Sequence, residues 1–193
     1  MTGLGFLADD SNDYESEALG ISGDGFVVVG KAKNTDPNDA SKSVKEAFVW
    51  EDGVMTGLGF LQDDTSKVES KATAASYDGT TVVGTSKVDD PNDPTKSVKE
   101  AFVWTAESNE MRSLREVIEE DLGVDLTGWT LDKPPVVSSD GETMIALATN
   151  PDGDVEAFVT YVPEPAGGIY AGIASLVWLS RRRSARARRA CRA

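Results

Sequence analysis

The chain has 193 residues and a formal charge of −14, and that charge is unevenly spread. Residues 166–193 hold seven of the 19 basic residues and none of the 33 acidic ones, so the rest carries 12 basic against 33 acidic groups, a net of −21. A body of that sign repels nucleic acid and anionic membrane surfaces. With no histidine, and its one cysteine at Cys191 in the tail, it also excludes disulfides, structural zinc, thiol catalysis and imidazole general-base chemistry.

The opening residues, MTGLGFLADD, have no basic n-region, apolar core or cleavage site and do not read as a signal peptide. They begin a repeat: Met1–Trp50 aligns without a gap on Met55–Trp104, with a period of 54 and 32 of 50 positions identical. Copying of one supersecondary unit at a period of roughly 50 marks propeller or solenoid architectures. Each unit reads as four short strands. Glu17–Ser22 leads through Gly23-Asp24-Gly25 into FVVVGKA, where the Asp-Gly step supplies a positive φ for a tight hairpin. AFVW forms the third strand, and Glu51-Asp52-Gly53 turns it into the fourth, VMTGLGF. Val27, Val29 and the Phe48/Trp50 pair fall at period two, which assigns them to the buried faces of stacked sheets. The polar, proline-bearing stretches Asp36–Ser43 and Asp90–Ser97 are expected to be loops between the second and third strands.

Ser113-Leu114-Arg115-Glu116 fits a capping box and predicts one helix, with Leu114, Val117, Ile118 and Leu122 on one face and Gly123 as its stop. The charge run Glu119-Glu120-Asp121 reads as its exposed end. A degenerate third copy follows at 137–159, with Ser139-Asp140-Gly141 at the hairpin and a much shorter loop before its final strand. The chain therefore starts on the fourth strand of one unit and meets its tail on the third strand of another. Three blades fall short of the typical count of about four to eight. The expectation is a C-terminal part of a longer protein in which Met1 is an internal methionine; two chains forming a six-blade ring is the alternative.

Asp9, Asp10 and Asp13, then Asp63 and Asp64, add oxygens to those of TDPNDAS, DDPNDPT and NPDGD. None follows an EF-hand or glycine-rich nonapeptide pattern. They read as solvated acidic loops; weak calcium binding there stays open, and no cofactor is expected. Trp50 and Trp104 sit at equivalent strand positions and read as packing residues, with Trp129 set apart. No acidic pair lies on a distinctive motif, so no catalytic residue and no enzymatic activity are expected.

These units resemble the bacterial extracellular repeat group named HAF. The matching residues are Ser22-Asp24-Gly25-Val28-Val29-Gly30 with Ala47-Phe48-Trp50 and Met55-Leu58-Gly59, then Ser76-Asp78-Gly79-Val82-Val83-Gly84 with Ala101-Phe102-Trp104. The third copy offers Ser139-Asp140-Gly141 and Ala157-Phe158. The resemblance implies a β-propeller-like fold in exported proteins and implies no activity.

The tail is similar to a PEP-CTERM sorting signal, also described as the C-terminal domain of ice-binding proteins. Val162, Pro163, Glu164 and Pro165 match its signature, Ala166–Leu179 its hydrophobic helix, and Arg181, Arg182 and Arg183 its basic stop. The resemblance implies an exosortase-type sorting transpeptidase that cuts near Pro-Glu-Pro, a transient membrane anchor through residues 166–179, and delivery to the cell surface or beyond. Physical chemistry agrees, since the prolines keep the motif extended and the arginines stay cytoplasmic by the positive-inside rule. The apolar run is short, roughly 21 Å as a helix against the approximately 20 residues of a full span. Inclusion of Val159–Val162, snorkelling arginines and local thinning of the bilayer narrow the gap.

The fold expected is all-β: repeated four-stranded antiparallel blades of a partial β-propeller, plus one short helix and a C-terminal hydrophobic helix. Repeat 1 spans 1–54, repeat 2 spans 55–110, the degenerate terminal repeat with the helix spans 111–161, and the sorting signal spans 162–193. The function expected is an exported, non-catalytic repeat module with the sorting enzyme and the membrane as its partners. A polysaccharide or matrix partner stays open. The alternatives are a fragment of a propeller-type glycan-active enzyme and a polysaccharide- or ice-binding surface protein.

Overall fold

Antiparallel sheets follow one another along the chain, and the computed structural model describes them over residues 3–7, 14–62, 68–90 and 93–161. The tail, with Val162–Pro165, Ala166–Leu179 and Arg181–Arg183, lies outside the described residues. The first sheet is a meander of β1 (Ser16–Ile21), β2 (Val27–Asp36), β3 (Asp39–Glu51) and β4 (Val54–Gly57). The second repeats it with β5 (Ser70–Ala75), β6 (Thr81–Asp90), β7 (Asp93–Thr105) and β8 (Glu110–Ser113). The third holds β9 (Val136–Val137), β10 (Thr143–Thr149) and β11 (Val155–Tyr161), ordered β11-β10-β9. Its third strand, β11, is an edge.

The stretches expected to be loops between the second and third strands are instead the ends of those strands. β2 and β3 stay paired through Lys33↔Lys45, Asn34↔Val44 and Thr35↔Ser43, and only Pro37 and Asn38 form the turn. The second unit does the same out to Asp90↔Asp93. Polarity there reports that the hairpin runs past the core into water, since an exposed ribbon needs no apolar face.

Period-two burial holds, but the expected residues divide between two faces. Val28 pairs with Trp50 and Gly30 with Phe48, so these share one face, while Val27 and Val29 point the other way with Ala47 and Val49. Val27, Val29, Ala47 and Leu58 meet Val82, Phe102 and Trp104 of the second sheet in one apolar cluster. On the second sheet's opposite face, Val83, Ala101 and Val103 meet Met144, Ala146 and Ala148 of the third, together with Leu114, Val117 and Ile118. The glycine of each Val-Gly step has a packing reason. A Cβ on Gly30 or Gly84 would drive into the carbonyl of Glu17 or Lys71 and into the ring of Phe48 or Phe102.

The helix is a single turn, α1 (Leu114–Glu116), continued by a π-type turn over Val117–Asp121. The serine half of the capping box forms: Ser113 Oγ accepts the amides of Arg115 and Glu116. Its own proton goes to Glu100 of β7. Leu114, Val117 and Ile118 are buried as expected, and Gly123 ends the turn with φ of +67°. Arg115 ties the following loop down, donating to the carbonyls of Trp129 (2.5 Å) and Leu126 (3.1 Å).

Candidate functional site

The Ser-x-Asp-Gly step is the most repeated polar arrangement, and its geometry is that of a turn. Ser22 Oγ donates to Asp24 Oδ1 at 2.6 Å and accepts the Val27 amide at 2.9 Å, while Asp24 also takes the Phe26 amide at 3.0 Å. Ser76 and Asp78 repeat this with Thr81 and Thr80. In the third copy the serine is Ser138, which bonds Asp140 and accepts the Thr143 amide at 3.0 Å. Ser139, the residue read from the motif, sits at the turn position of Gly23 and Tyr77, and its carbonyl accepts the Tyr77 amide at 2.8 Å. The Asp24 amide donates in turn to the Tyr77 carbonyl at 2.9 Å, so the turns link sheet to sheet. Donors hold these carboxylates below their ordinary range: Ser22 for Asp24, the Thr80 amide for Asp78, and Ser138 for Asp140. An aspartate kept ionised by fixed donors is a structural acceptor, not a general acid.

The acidic hairpin tips are used in the same way. Asp39 accepts from the Ser41 hydroxyl at 2.6 Å and the Ser41 amide at 3.0 Å, with Lys42 Nζ at 2.9 Å, and these lower its pKa to about 2. Asp93, Thr95 and Lys96 copy the arrangement. Asn150 organises the third tip by accepting the amides of Asp152 and Asp154. Among the described residues, no three carboxylate or sulfur ligands converge as a metal site. Asp9, Asp10, Asp13, Asp63 and Asp64 lie outside the described residues.

Four lysines, Lys31, Lys71, Lys87 and Lys99, line a hollow of about 160 Å³ around Glu69. Burial works to raise the Glu69 carboxyl, but Lys87 at 2.5 Å, with Lys31 and Lys99 behind it, outweighs burial and lowers it. The first unit has the same device, with Glu15 bonded to Lys45 at 2.9 Å and near Lys33 at 3.6 Å. Repetition at the same place in both units identifies an ion-pair brace between strands.

The tryptophans fill structural positions. Trp104 is buried between the first two sheets, whereas its equivalent Trp50 is half-buried with its Nε1 enclosed and unpartnered. Trp129 packs against the second core cluster. It also lines an apolar cleft of about 320 Å³ beside the free edge of β11, with Ile118, Leu122, Ala157, Phe158 and Val159.

Two side chains that sequence reasoning passed over carry the joint between successive sheets. Glu46 is buried and accepts from Asn34 Nδ2 at 2.6 Å and from the Gly59 amide at 2.8 Å. Ser70 is buried too; it donates to the Gly59 carbonyl at 2.6 Å and accepts the Ala47 amide at 2.9 Å. The signal was present in KEAF and ES, which are identical between the two copies.

No protein-family model and no curated protein matches the chain. Solved structures to which it is similar include a TolB-type protein from Agrobacterium tumefaciens (14% identity, TM-score 0.45, covering 78% of this chain and 47% of that one). TolB from Acinetobacter baumannii aligns at 12% identity and TM-score 0.43, over 76% of this chain and 30% of that one. The β-propeller domain of the Trilobed protease from Pyrococcus furiosus aligns at 10% and 0.41, over 78% and 43%. The chain spans less than half the length of each. Among the described residues no helix is long and apolar enough to cross a membrane.

Proposed function

We propose that this chain is an exported, non-catalytic repeat module of propeller-like blades, sorted to the cell surface or its surroundings by a cleavable C-terminal signal. The observation that carries the reading is the order of the last 32 residues: Val162-Pro163-Glu164-Pro165, an apolar run to Leu179, then Arg181-Arg182-Arg183, with no acidic group after Glu164. Prolines present an extended segment to a processing enzyme, and the arginines fix the end that stays inside. The body supports a passive role, because its repeated carboxylates act as turn acceptors and ion-pair partners and it has no histidine. The sorting transpeptidase is the partner, with the membrane as a transient one.

Intact-mass measurement on the protein recovered from the envelope or medium of its native host tests this. The expected mass ends near Pro163–Pro165. Recovery of the exported protein with Arg181–Arg183 attached, or its confinement to the cytosol, would overturn the reading.

A further inference from the structure

We propose that the open face and free edge of the third sheet take the first sheet of a second copy of this chain, whose Leu4–Gly5 segment docks against β11 as Leu58–Gly59, just past β4, docks against β3. The argument starts from position. Ile145, Ala157 and Val159 occupy the places of Val29, Ala47 and Val49 in the first sheet and of Val83, Ala101 and Val103 in the second. In the second sheet Val83 and Val103 are 0% and 3% exposed against the next sheet, whereas Ile145 is 52% and Val159 49% exposed. Leu147, Val155 and Tyr161 extend the same bare apolar surface.

The matching surface is at the other end of the chain. Val82, Phe102 and Trp104 are the residues by which the second sheet seats on the first. Their equivalents Val28, Phe48 and Trp50 share the first sheet's outer face, where Phe48 is already buried but Val28 and Trp50 are only half-buried. One face is thus built to be covered and another to cover it, as a head-to-tail interface requires.

The polar joint is complete in parts as well. Where the first sheet leads into the second, the Leu58 amide just past β4 donates to the Ala47 carbonyl at 2.9 Å, Glu46 accepts the Gly59 amide, and Ser70 Oγ of the second sheet accepts the Ala47 amide. MTGLGF at 1–6 is identical to MTGLGF at 55–60, so Leu4, Gly5 and Ser16 stand for Leu58, Gly59 and Ser70. Ser16 Oγ already donates to the Gly5 carbonyl at 3.0 Å, as Ser70 does to Gly59. Gly5 already holds φ of +88°, close to the +80° of Gly59, although Gly3–Phe6 belongs to no sheet. The receiving groups are in place on β11: Ala157 on its free edge, and Glu156, bonded to Asn150 at 2.7 Å as Glu46 is to Asn34. In the pair, the Leu4 amide meets the Ala157 carbonyl, Ser16 takes the Ala157 amide, and Glu156 takes the Gly5 amide.

Sedimentation of the full chain over a range of concentrations tests this. Reversible association is expected, weakened at least tenfold by Val159→Asp on the receiving face and equally by Leu4→Asp on the entering segment, with circular dichroism unchanged. In a Cys191→Ser background, Leu4→Cys with Ala157→Cys should give a disulfide between chains and none within one. Association through the apolar tail would ignore both aspartates. A chain that stays monomeric, or one whose association is indifferent to both substitutions, overturns the proposal; so does a Leu4–Ala157 crosslink formed only within one chain.

Discussion

Gly84→Ala is the sharpest test of how these sheets are assembled, because a single methyl group would meet two different obstacles. It would press on the ring of Phe102 at 2.8 Å and, more closely, on the backbone carbonyl oxygen of Lys71 in β5. A ring can rotate or shift, but a carbonyl held in a ladder moves only with its strand. Overpacking of a tight core costs up to about 3 kcal/mol. Displacing β5 from Gly84 also loosens one or two ladder hydrogen bonds at about 1 kcal/mol each. The expected cost is therefore about 3–5 kcal/mol, or a Tm lower by about 6–20 °C for a body of this size.

Gly53→Ala is the control. Nothing lies within 4 Å of its added methyl, but its φ is +88°. Only the left-handed backbone penalty applies, about 1–2 kcal/mol. Urea unfolding followed by tryptophan fluorescence measures both, and Phe102→Leu completes a double-mutant cycle with Gly84→Ala. Because the carbonyl is the nearer obstacle, the coupling with Phe102 should stay below about 1 kcal/mol, the scale of one ladder bond. A coupling that recovers most of the Gly84→Ala cost, or a Gly84→Ala cost no larger than that of Gly53→Ala, would refute this account of the Val-Gly step.

Ser70→Ala should cost about 2–4 kcal/mol by urea unfolding, since it strands the Ala47 amide and the Gly59 carbonyl beside a fully buried position. Ser16→Ala, its repeat equivalent, should change the stability of the monomeric chain by less than about 0.5 kcal/mol because Ser16 is exposed. Arg115→Ala removes the donor to Leu126 and Trp129 and should lower stability by about 1.5–3 kcal/mol, seen as increased amide exchange over residues 124–131. Acid titration followed by circular dichroism should show the turn aspartates in stability. The folded value for Asp39 is about 2 against an ordinary 3.8, so the folded chain binds fewer protons between them. Its contribution is complete above about pH 4 and is lost as pH falls toward 2; Asp39→Asn should flatten that limb of the curve.

The elements legible in the sequence were those whose cause is local. Asp-Gly steps gave the hairpins at Asp24, Asp78 and Asp140 because positive φ at the following glycine is a property of a few residues. The helix start was legible for the same reason, since Ser113 caps amides two and three residues away. What was missed depends on neighbours distant in sequence. The hairpins of β2 with β3 and of β6 with β7 looked like loops because strand pairing, not composition, orders their polar ends. The motif points to Ser139, but the Ser-x-Asp-Gly spacing of the first two copies already marks Ser138, and its bonds to Asp140 and to the Thr143 amide agree. Glu46 and Ser70 carry no local sign of burial, yet both are buried: the Ala47 amide reaches Ser70 from the adjoining sheet, and the Gly59 amide reaches Glu46 from the stretch after β4.

That last point gives the internal repeat a physical meaning. Positions that differ between the two copies include Phe26 against Thr80 and Gly23 against Tyr77, and Phe26 and Tyr77 are both exposed. Identical positions include Glu46, Ala47, Leu58, Gly59 and Ser70, the groups through which the first sheet grips the second. Part of the identity between the copies therefore maintains the contacts where the first sheet leads into the second, and part lies on the polar ends of the β2–β3 and β6–β7 hairpins. Leu4 and Gly5 keep those letters in a segment that joins no sheet, and Glu156 and Ala157 keep theirs on a strand that lacks its neighbour. The same letters on these two surfaces are what Leu4→Asp and Val159→Asp put to the test.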